Sequence, residues 1–319
     1  MFLSYIYSIN GSDLEKVKHT LESINAQTDK DFEIIVLSDV SENSEETNQY
    51  VRDFFGANKN VKFVENSELQ GVAVSGNTGL EICEGEYSIF VNASDVILPN
   101  HIETLKKARN ELGEIDIFEY TVHLGGLADS ATKSFIDKNK VYHLKKTNEP
   151  FAFINDLIQS KAFKTSVIKT YAFKFRRFVR YDMLFTYKFL GQAQTYAFVD
   201  SEPILETRIE ETNFSIFDLT NQGPHVFNYY RRIGKFREIS DELNYAYYKT
   251  IVHIGLGGVK KYKNKVLMKK AIAFAQRKFE DKRESFMNSN KVYKLKKDET
   301  FTDIVENFGK GLKEILKSI

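Results

Sequence analysis

Residues 32–37 read Phe-Glu-Ile-Ile-Val-Leu, a short apolar run with β-branched residues at its centre and polar turns on either side. A run of this length that does not alternate polar with apolar residues suits a strand buried on both faces, and such strands belong to parallel sheets covered by helices. The run has companions. Residues 2–9 form a similar stretch, 61–65 a third, and 87–91 (Tyr-Ser-Ile-Phe-Val) a fourth. Helical patterns separate them: Ser12-Asp13-Leu14-Glu15 opens one that puts Leu14, Val17, Leu21 and Ile24 on one face, and 44–55 and the glycine-punctuated 71–82 supply two more. Strands alternating with helices of this length predict an α/β fold, a doubly wound and mostly parallel sheet flanked by helices. Ligands of such sheets bind beyond the carboxyl ends of the strands. Three polar clusters fall there: Ser8-Ile9-Asn10, Ser38-Asp39 and Asn92-Ala93-Ser94-Asp95.

Beyond residue 100 the pattern loosens. A helix is expected at 101–112, a strand at 115–123, helical turns at 151–160 and 164–170, a helix at 181–190 and a strand at 195–199. Residues 173–180 are basic and aromatic, with Arg176, Arg177 and Arg180 close together. From 221 onward the pattern is helical, broken by the glycines of 255–258 and by Lys260, Lys261, Lys263, Lys265, Lys269 and Lys270. The tyrosines of this region, among them Tyr229, Tyr230, Tyr245, Tyr247 and Tyr248, read as helix packing. The expected regions are therefore 1–100, 101–220 and a basic helical 221–319.

Charge supports the last division. The net charge of +1 conceals 22 basic and 11 acidic residues in 221–319, leaving the first 220 residues at −10. No overall excess points to nucleic acid, but a basic tail implies an anionic partner: a membrane surface, an acidic polymer or another subunit. The single cysteine, Cys83, excludes an internal disulfide and a cysteine-rich zinc site, and reads as buried filler. No stretch approaches the ~18 apolar residues of a spanning helix, and the start of the chain lacks a signal-peptide pattern. The expected location is the cytoplasm, with peripheral contact at the inner face of the cell membrane as a role for the basic tail. Phosphate-loop, dinucleotide, zinc-protease and serine-hydrolase motifs are missing, and the six histidines show no metal-ligand spacing.

Several phrases in order carry a resemblance. Leu21-Glu22-Ser23-Ile24-Asn25-Ala26-Gln27-Thr28 closes the first helix, and Phe32-Glu33-Ile34-Ile35-Val36-Leu37-Ser38-Asp39 follows. Gly71 and Asn77-Thr78-Gly79-Leu80 come next, and Gly85-Glu86-Tyr87-Ser88-Ile89-Phe90-Val91 leads into Asn92–Asp95. In this order the chain resembles family 2 glycosyltransferases of the GT-A fold, and in layout the bacterial enzymes that decorate wall teichoic acid or capsule. The resemblance runs to about residue 215. It implies a nucleotide-sugar-binding half at 1–100, an acceptor and catalytic half at 101–220, and a UDP-sugar donor held by Ser8, Asn10, Asp39, Asn77, Asn92 and Ser94. It also implies Asp182 as the general base of inverting transfer, taking the proton of the acceptor hydroxyl as that hydroxyl attacks the anomeric carbon. Arg176, Arg177, Arg180 and Arg208 would hold an anionic polymer or glycoprotein acceptor through charge-assisted bonds.

The departures are as specific as the matches. The family's Asp-x-Asp is Asn92-Ala93-Ser94 here, with Asp95 one place later as the remaining carboxylate for a metal. Mn²⁺ or Mg²⁺ prefers anionic oxygen, so the resemblance implies a weakened metal site. The family's arginine before Asn-Thr-Gly is Gly76. Arg208 or a C-terminal lysine could supply the missing positive charge. The alternative is a degenerate pseudo-glycosyltransferase that serves as scaffold or partner subunit.

Overall fold

The computed structural model describes the chain apart from residues 10, 42–43, 57–58, 127–129, 177–182, 210–214 and 318–319. The chain forms two compact units, one of Met1–Lys146 with Asn155–Ile209, the other of Thr147–Ile154 with Glu210–Ile319.

The first 126 residues supply β1 (Leu3–Ser8), α1 (Leu14–Asn25), β2 (Phe32–Ser38), α2 (Ser44–Phe55), β3 (Val61–Glu65), α3 (Val72–Ile82), β4 (Tyr87–Asn92), β5 (Val96–Ile97), α4 (His101–Leu112), β6 (Ile117–Glu119) and β7 (Val122–Gly126). There follow β8 (Ser130–Ala131), β9 (Tyr142–His143), α5 (Glu149–Phe153, in the second unit), β10 (Lys161–Lys164), α6 (Thr165–Tyr171), α7 (Met183–Gln192), β11 (Thr195–Phe198) and β12 (Leu205–Ile209).

The first unit is built on a sheet of eight strands in the order β3-β2-β1-β4-β10-β6-β11-β9, with a smaller one ordered β5-β12-β7-β8. The strands β3, β2, β1 and β4 run parallel, as expected. All seven residues of β2 are buried. Alternate residues explain why: Ile34 and Val36, with Tyr5 and Tyr7 of β1, pack on Val17 and Leu21 of α1 and on Leu105 of α4. The other face meets α3, where a Cβ on Gly79 would stand 2.4 Å from the Ile6 Cγ2 atom. Only glycine lets that helix lie so close.

A buried carboxylate of this half is paired. Glu33, on β2, accepts from the Ser4 hydroxyl (2.6 Å) and the Glu84 N–H (2.6 Å), and pairs with Lys62 at 2.9 Å. Burial pushes its carboxyl up, yet Lys62 and Ser4 together hold it below the usual carboxylate value. Cys83 is buried, and its thiol donates to the Leu80 carbonyl at 3.3 Å.

Between residues 101 and 220, three expectations differ from the structure. The run 115–123 is two strands: β6 joins the large sheet and β7 the small one, the chain stepping between them at Tyr120-Thr121. Residues 151–160 hold the end of a five-residue helix and a single 3₁₀ turn (Ile158–Ser160). Between that turn and α6 lies β10, antiparallel to both β4 and β6.

The second unit continues with α8 (Ser215–Asn221), α9 (Gly223–Arg232), α10 (Ser240–Lys249), a π-helical segment (Thr250–Gly255), α11 (Leu256–Lys261), α12 (Lys265–Ser289), α13 (Lys291–Lys294), α14 (Glu299–Glu306) and α15 (Phe308–Lys317). Aromatic pairs hold it together: Tyr245 meets Phe301 and Phe153 edge-on at centroid distances of 5.1 and 5.2 Å, and Tyr248 meets Phe279 in a tilted pair at 4.9 Å. Asn264 caps α12 through the N–H groups of Val266 and Leu267. Asp298 caps α14 and pairs with Lys249 at 2.7 Å. The glycines of 255–258 do not break the helix. The π-helical segment runs directly into α11, and a Cβ on Gly255 would lie 2.7 Å from the Thr220 Cγ2 atom. Gly255 thus serves a close approach of α8.

Candidate functional site

Parallel pairing lines up the carboxyl ends of three strands: Ser8 is level with Leu37 on one side and with Asn92 on the other. Ser8, Ser38-Asp39 and the turn 92–95 therefore share one edge, where α/β sheets place their ligands. The Ser8 hydroxyl is buried without a hydrogen-bond partner among the described residues, a polar atom left over at that edge. Asn10 lies outside the described residues.

Asp39 is buried, with both carboxylate oxygens engaged. One accepts from the Asn66 side chain (2.7 Å), the other from the N–H groups of Gln70 (3.1 Å) and Gly71 (2.6 Å), the residue that caps α3. The carboxylate thereby fixes the loop from β3 into α3. Ser38 donates to Asn48 at 2.6 Å, and Asn48 donates to Glu65, which Arg52 grips at 2.5 Å.

After β4 the chain closes a turn through Asp95 N–H to the Asn92 carbonyl (3.1 Å), with Ser94 at φ 83° and its N–H on Thr20 Oγ1 (3.1 Å). The Asp95 side chain points inward. It accepts from the Asn92 N–H at 2.8 Å and from the Thr207 hydroxyl at 2.5 Å. Burial pushes its carboxyl up to about 7, against the lowering effect of those two bonds. Asn92 is the exposed side chain of the turn.

Asn77 engages backbone. Its amide donates to the Phe175 carbonyl (3.2 Å) and accepts from the Phe175 N–H (2.7 Å), across 98 residues of sequence. Phe175 then stacks on Phe185 of α7 at 4.4 Å and meets Phe90 edge-on at 4.8 Å. Asp182, Arg177 and Arg180 lie outside the described residues. Arg176 is half-buried. Arg208 follows Thr207 on β12, level with Gly125; its side chain is not among those described.

The model of glycosyl transferase family 2 matches residues 9–171, just over half of the chain. The chain belongs to that family. TarP of Staphylococcus aureus, a poly(ribitol-phosphate) β-N-acetylglucosaminyltransferase, is 29% identical over 189 residues, 57% of this chain and 56% of TarP. The chain spans about half the length of the curated relatives it matches. Among solved structures, S. aureus TarS 1–349 in complex with UDP-GlcNAc superposes with a TM-score of 0.66 at 15% identity, covering 98% of this chain and 92% of that one. The mannosyltransferase PcManGT of Pyrobaculum calidifontis, in complex with GDP-Man and Mn²⁺, gives 0.52 at 15% identity over 86% and 75%. These likenesses establish the GT-A architecture with its C-terminal helices.

Within family 2, two local departures now have physical form. Gly76 lies beneath the Phe175 ring, whose nearest atom would be 3.0 Å from an added Cβ. The ring occupies the space through which an arginine side chain would leave the helix. The metal is the second point. A divalent cation wants several anionic oxygens. The turn offers it an amide, a hydroxyl and a carboxylate turned inward, and no group of three or more His, Cys, Asp or Glu residues suited to a metal occurs among the described residues. These donors do not fit a resident Mn²⁺ or Mg²⁺.

Sequence reasoning missed the residues that hold this edge in place. Thr20 and Thr207 are single threonines in helix and strand, 74 and 112 residues from the partners they bind, and nothing local marks them. No helix among the described residues is long and apolar enough to cross a membrane.

Proposed function

We propose that the chain is an inverting glycosyltransferase that moves a sugar from a UDP donor to a phosphate-rich polymer of the bacterial surface. The observation that carries this reading is the single edge shared by Ser8, Asp39 and the turn 92–95, on a fold that in TarS 1–349 holds UDP-GlcNAc. TarP supplies the acceptor class by analogy, a ribitol-phosphate polymer. In this reading the Ser8 hydroxyl and the exposed Asn92 amide contact the donor, and Asp39 shapes the loop beside it. Asp182 takes the proton from an acceptor hydroxyl as that oxygen bonds to the anomeric carbon and the bond to the diphosphate breaks. Arg208 stands in for the metal by balancing charge on the departing UDP, a role commonly worth ~3–4 kcal/mol of barrier. Arg176, Arg177 and Arg180 hold polymer phosphates, and the lysines of 260–270 contact an anionic partner of their own, the inner membrane face.

The test is transfer from UDP-GlcNAc to poly(ribitol phosphate), with and without chelator. We expect turnover that survives chelation, falls a hundredfold or more in Asp182→Asn, and weakens strongly in Arg208→Ala. Activity abolished by chelator and restored by Mn²⁺ would overturn the metal-independent part. A second reading, a non-catalytic partner subunit, is favoured by the inward Asp95 and the covered Gly76. Saturable UDP-GlcNAc binding without any turnover on polymer acceptors would select it.

A further inference from the structure

In the second unit, α8, the π-helical segment, α11 and the first half of α12 surround a cavity of about 350 Å³. That is the lower end of the size range of small-ligand pockets, enough for one chain-like ligand. Its inner wall is apolar: Ile251, Leu256, Val259 and Ala271 are buried, and Phe217 and Phe274 line the sides half-buried. Of the α12 residues that line the cavity, Ala271 on the buried side and Ala273 on the exposed side are small. The mouth is cationic. Lys270 and Arg277 stand two helical turns apart, both exposed, with Arg277 lying 5.6 Å from the Phe274 ring centroid. Neither pairs with a carboxylate among the described residues, and no lining residue is acidic.

A neighbouring cavity of about 380 Å³ makes a useful contrast. It mixes Asp303 and Glu314 with Lys260 and Lys310, so it has no preferred sign. The first cavity has one sign at its mouth and hydrocarbon behind it. Those are the two halves of an amphiphile. A single acyl chain holds a protein to a membrane only marginally, and a basic patch beside it is one of the second signals that make such attachment firm. Lys260, Lys261, Lys263, Lys265 and Lys269 flank the site in sequence, and none carries an ion pair among the described residues.

We propose that this cavity binds one hydrocarbon chain of an anionic amphiphile, with Lys270 and Arg277 holding its headgroup. The site is independent of sugar transfer and can exist whether or not the chain turns over a nucleotide sugar.

The experiment is calorimetric titration of the full chain with dodecyl phosphate below its micellar concentration, alongside dodecanol and inorganic phosphate. We expect saturable one-to-one binding of dodecyl phosphate, weaker at high salt, with the other two at least tenfold poorer. Ala273→Trp, at an exposed position, blocks the mouth and should reduce affinity tenfold or more. The double variant Lys270→Glu/Arg277→Glu should do the same, both with unfolding temperatures near that of the parent. Flotation with phosphatidylglycerol vesicles, but not phosphatidylcholine vesicles, that is lost in both variants places the chain in a bilayer lipid. Dodecyl phosphate binding without flotation assigns the site to a free amphiphile. Either result supports the site. It is overturned if inorganic phosphate binds as well as dodecyl phosphate, if dodecanol does, if Ala273→Trp binds unchanged, or if nothing binds. A concentration-dependent dimer dispersed by Ala273→Trp, with no amphiphile binding, would overturn it in favour of a second copy of the chain.

Discussion

Asp95→Asn isolates the energetic consequence of a carboxyl turned into the protein beside the candidate donor site. Asparagine keeps both contacts, its oxygen accepting from the Asn92 N–H and its amide donating to the Thr207 hydroxyl. What it removes is ionisation. Burial raises the folded-state value to about 7, against about 3.9 for an unfolded aspartate. Below the unfolded value both states hold the proton and its contribution to stability is complete. As pH rises toward the folded value, the unfolded chain releases the proton first and that stability is lost. A shift of about three units corresponds to roughly 4 kcal/mol, of which about 2–3 kcal/mol falls between about pH 5 and about pH 8.5. His101 has the opposite slope. Burial lowers it to about 3, so stability falls as pH drops from its ordinary value toward that one. Both proteins contain His101, so subtracting one curve from the other cancels it. Denaturant unfolding of parent and variant across this range should show Asp95→Asn gaining on the parent by about 2–3 kcal/mol as pH rises. A gap that stays constant, or closes, would refute the reasoning.

Asn77→Ala removes both hydrogen bonds to the Phe175 backbone and should cost about 1–3 kcal/mol, with faster tryptic cleavage at Lys174 and Arg176 as the readout. Gly79→Ala drives a methyl group into Ile6, and the overpacking should cost about 1–3 kcal/mol in thermal unfolding. Glu33→Ala removes the acceptor of the Ser4 hydroxyl and the Glu84 N–H, while Lys62 keeps Glu84 at 3.1 Å and the Ile82 carbonyl at 2.9 Å; the loss should be about 1–3 kcal/mol. Because the folded Glu33 value is lowered, its contribution is present above the ordinary carboxylate value and is lost as pH falls through the folded one. The Glu33→Ala deficit should therefore shrink in acid, measured by the same unfolding curves.

The half of the sheet that was legible in the sequence is the half whose signal is local. Phe32–Ser38 is buried on both faces, so every residue reports the same environment. β10 gives no such signal: its four residues carry a lysine at each end, yet Lys161 is buried and donates to the Asn155 carbonyl at 2.6 Å and the Leu157 carbonyl at 2.5 Å. Sequence periodicity registers apolar side chains and not carbonyls that await an ammonium. The break at Tyr120-Thr121 was invisible for another reason. Both sides are equally apolar, and only pairing reveals that they belong to different sheets. At the site, the motif located the strand ends but not the use of their polar groups. The Asn77 amide is spent on Phe175, and that partner exists only once the chain returns.

The interruption of the first unit by Thr147–Ile154 has a genetic consequence. Phe151 and Phe153 sit against Tyr230 and Tyr245, residues encoded some 80 to 90 codons downstream, with ring centroids 5.8 and 5.2 Å apart. A stop codon placed near residue 210 would leave two phenylalanines without the surface they were selected to cover. Recombination that swaps only the 3′ end of the gene would need to bring a matching surface for the same octapeptide. Inheritance of the helical region is tied in this way to a short stretch in the middle of the reading frame.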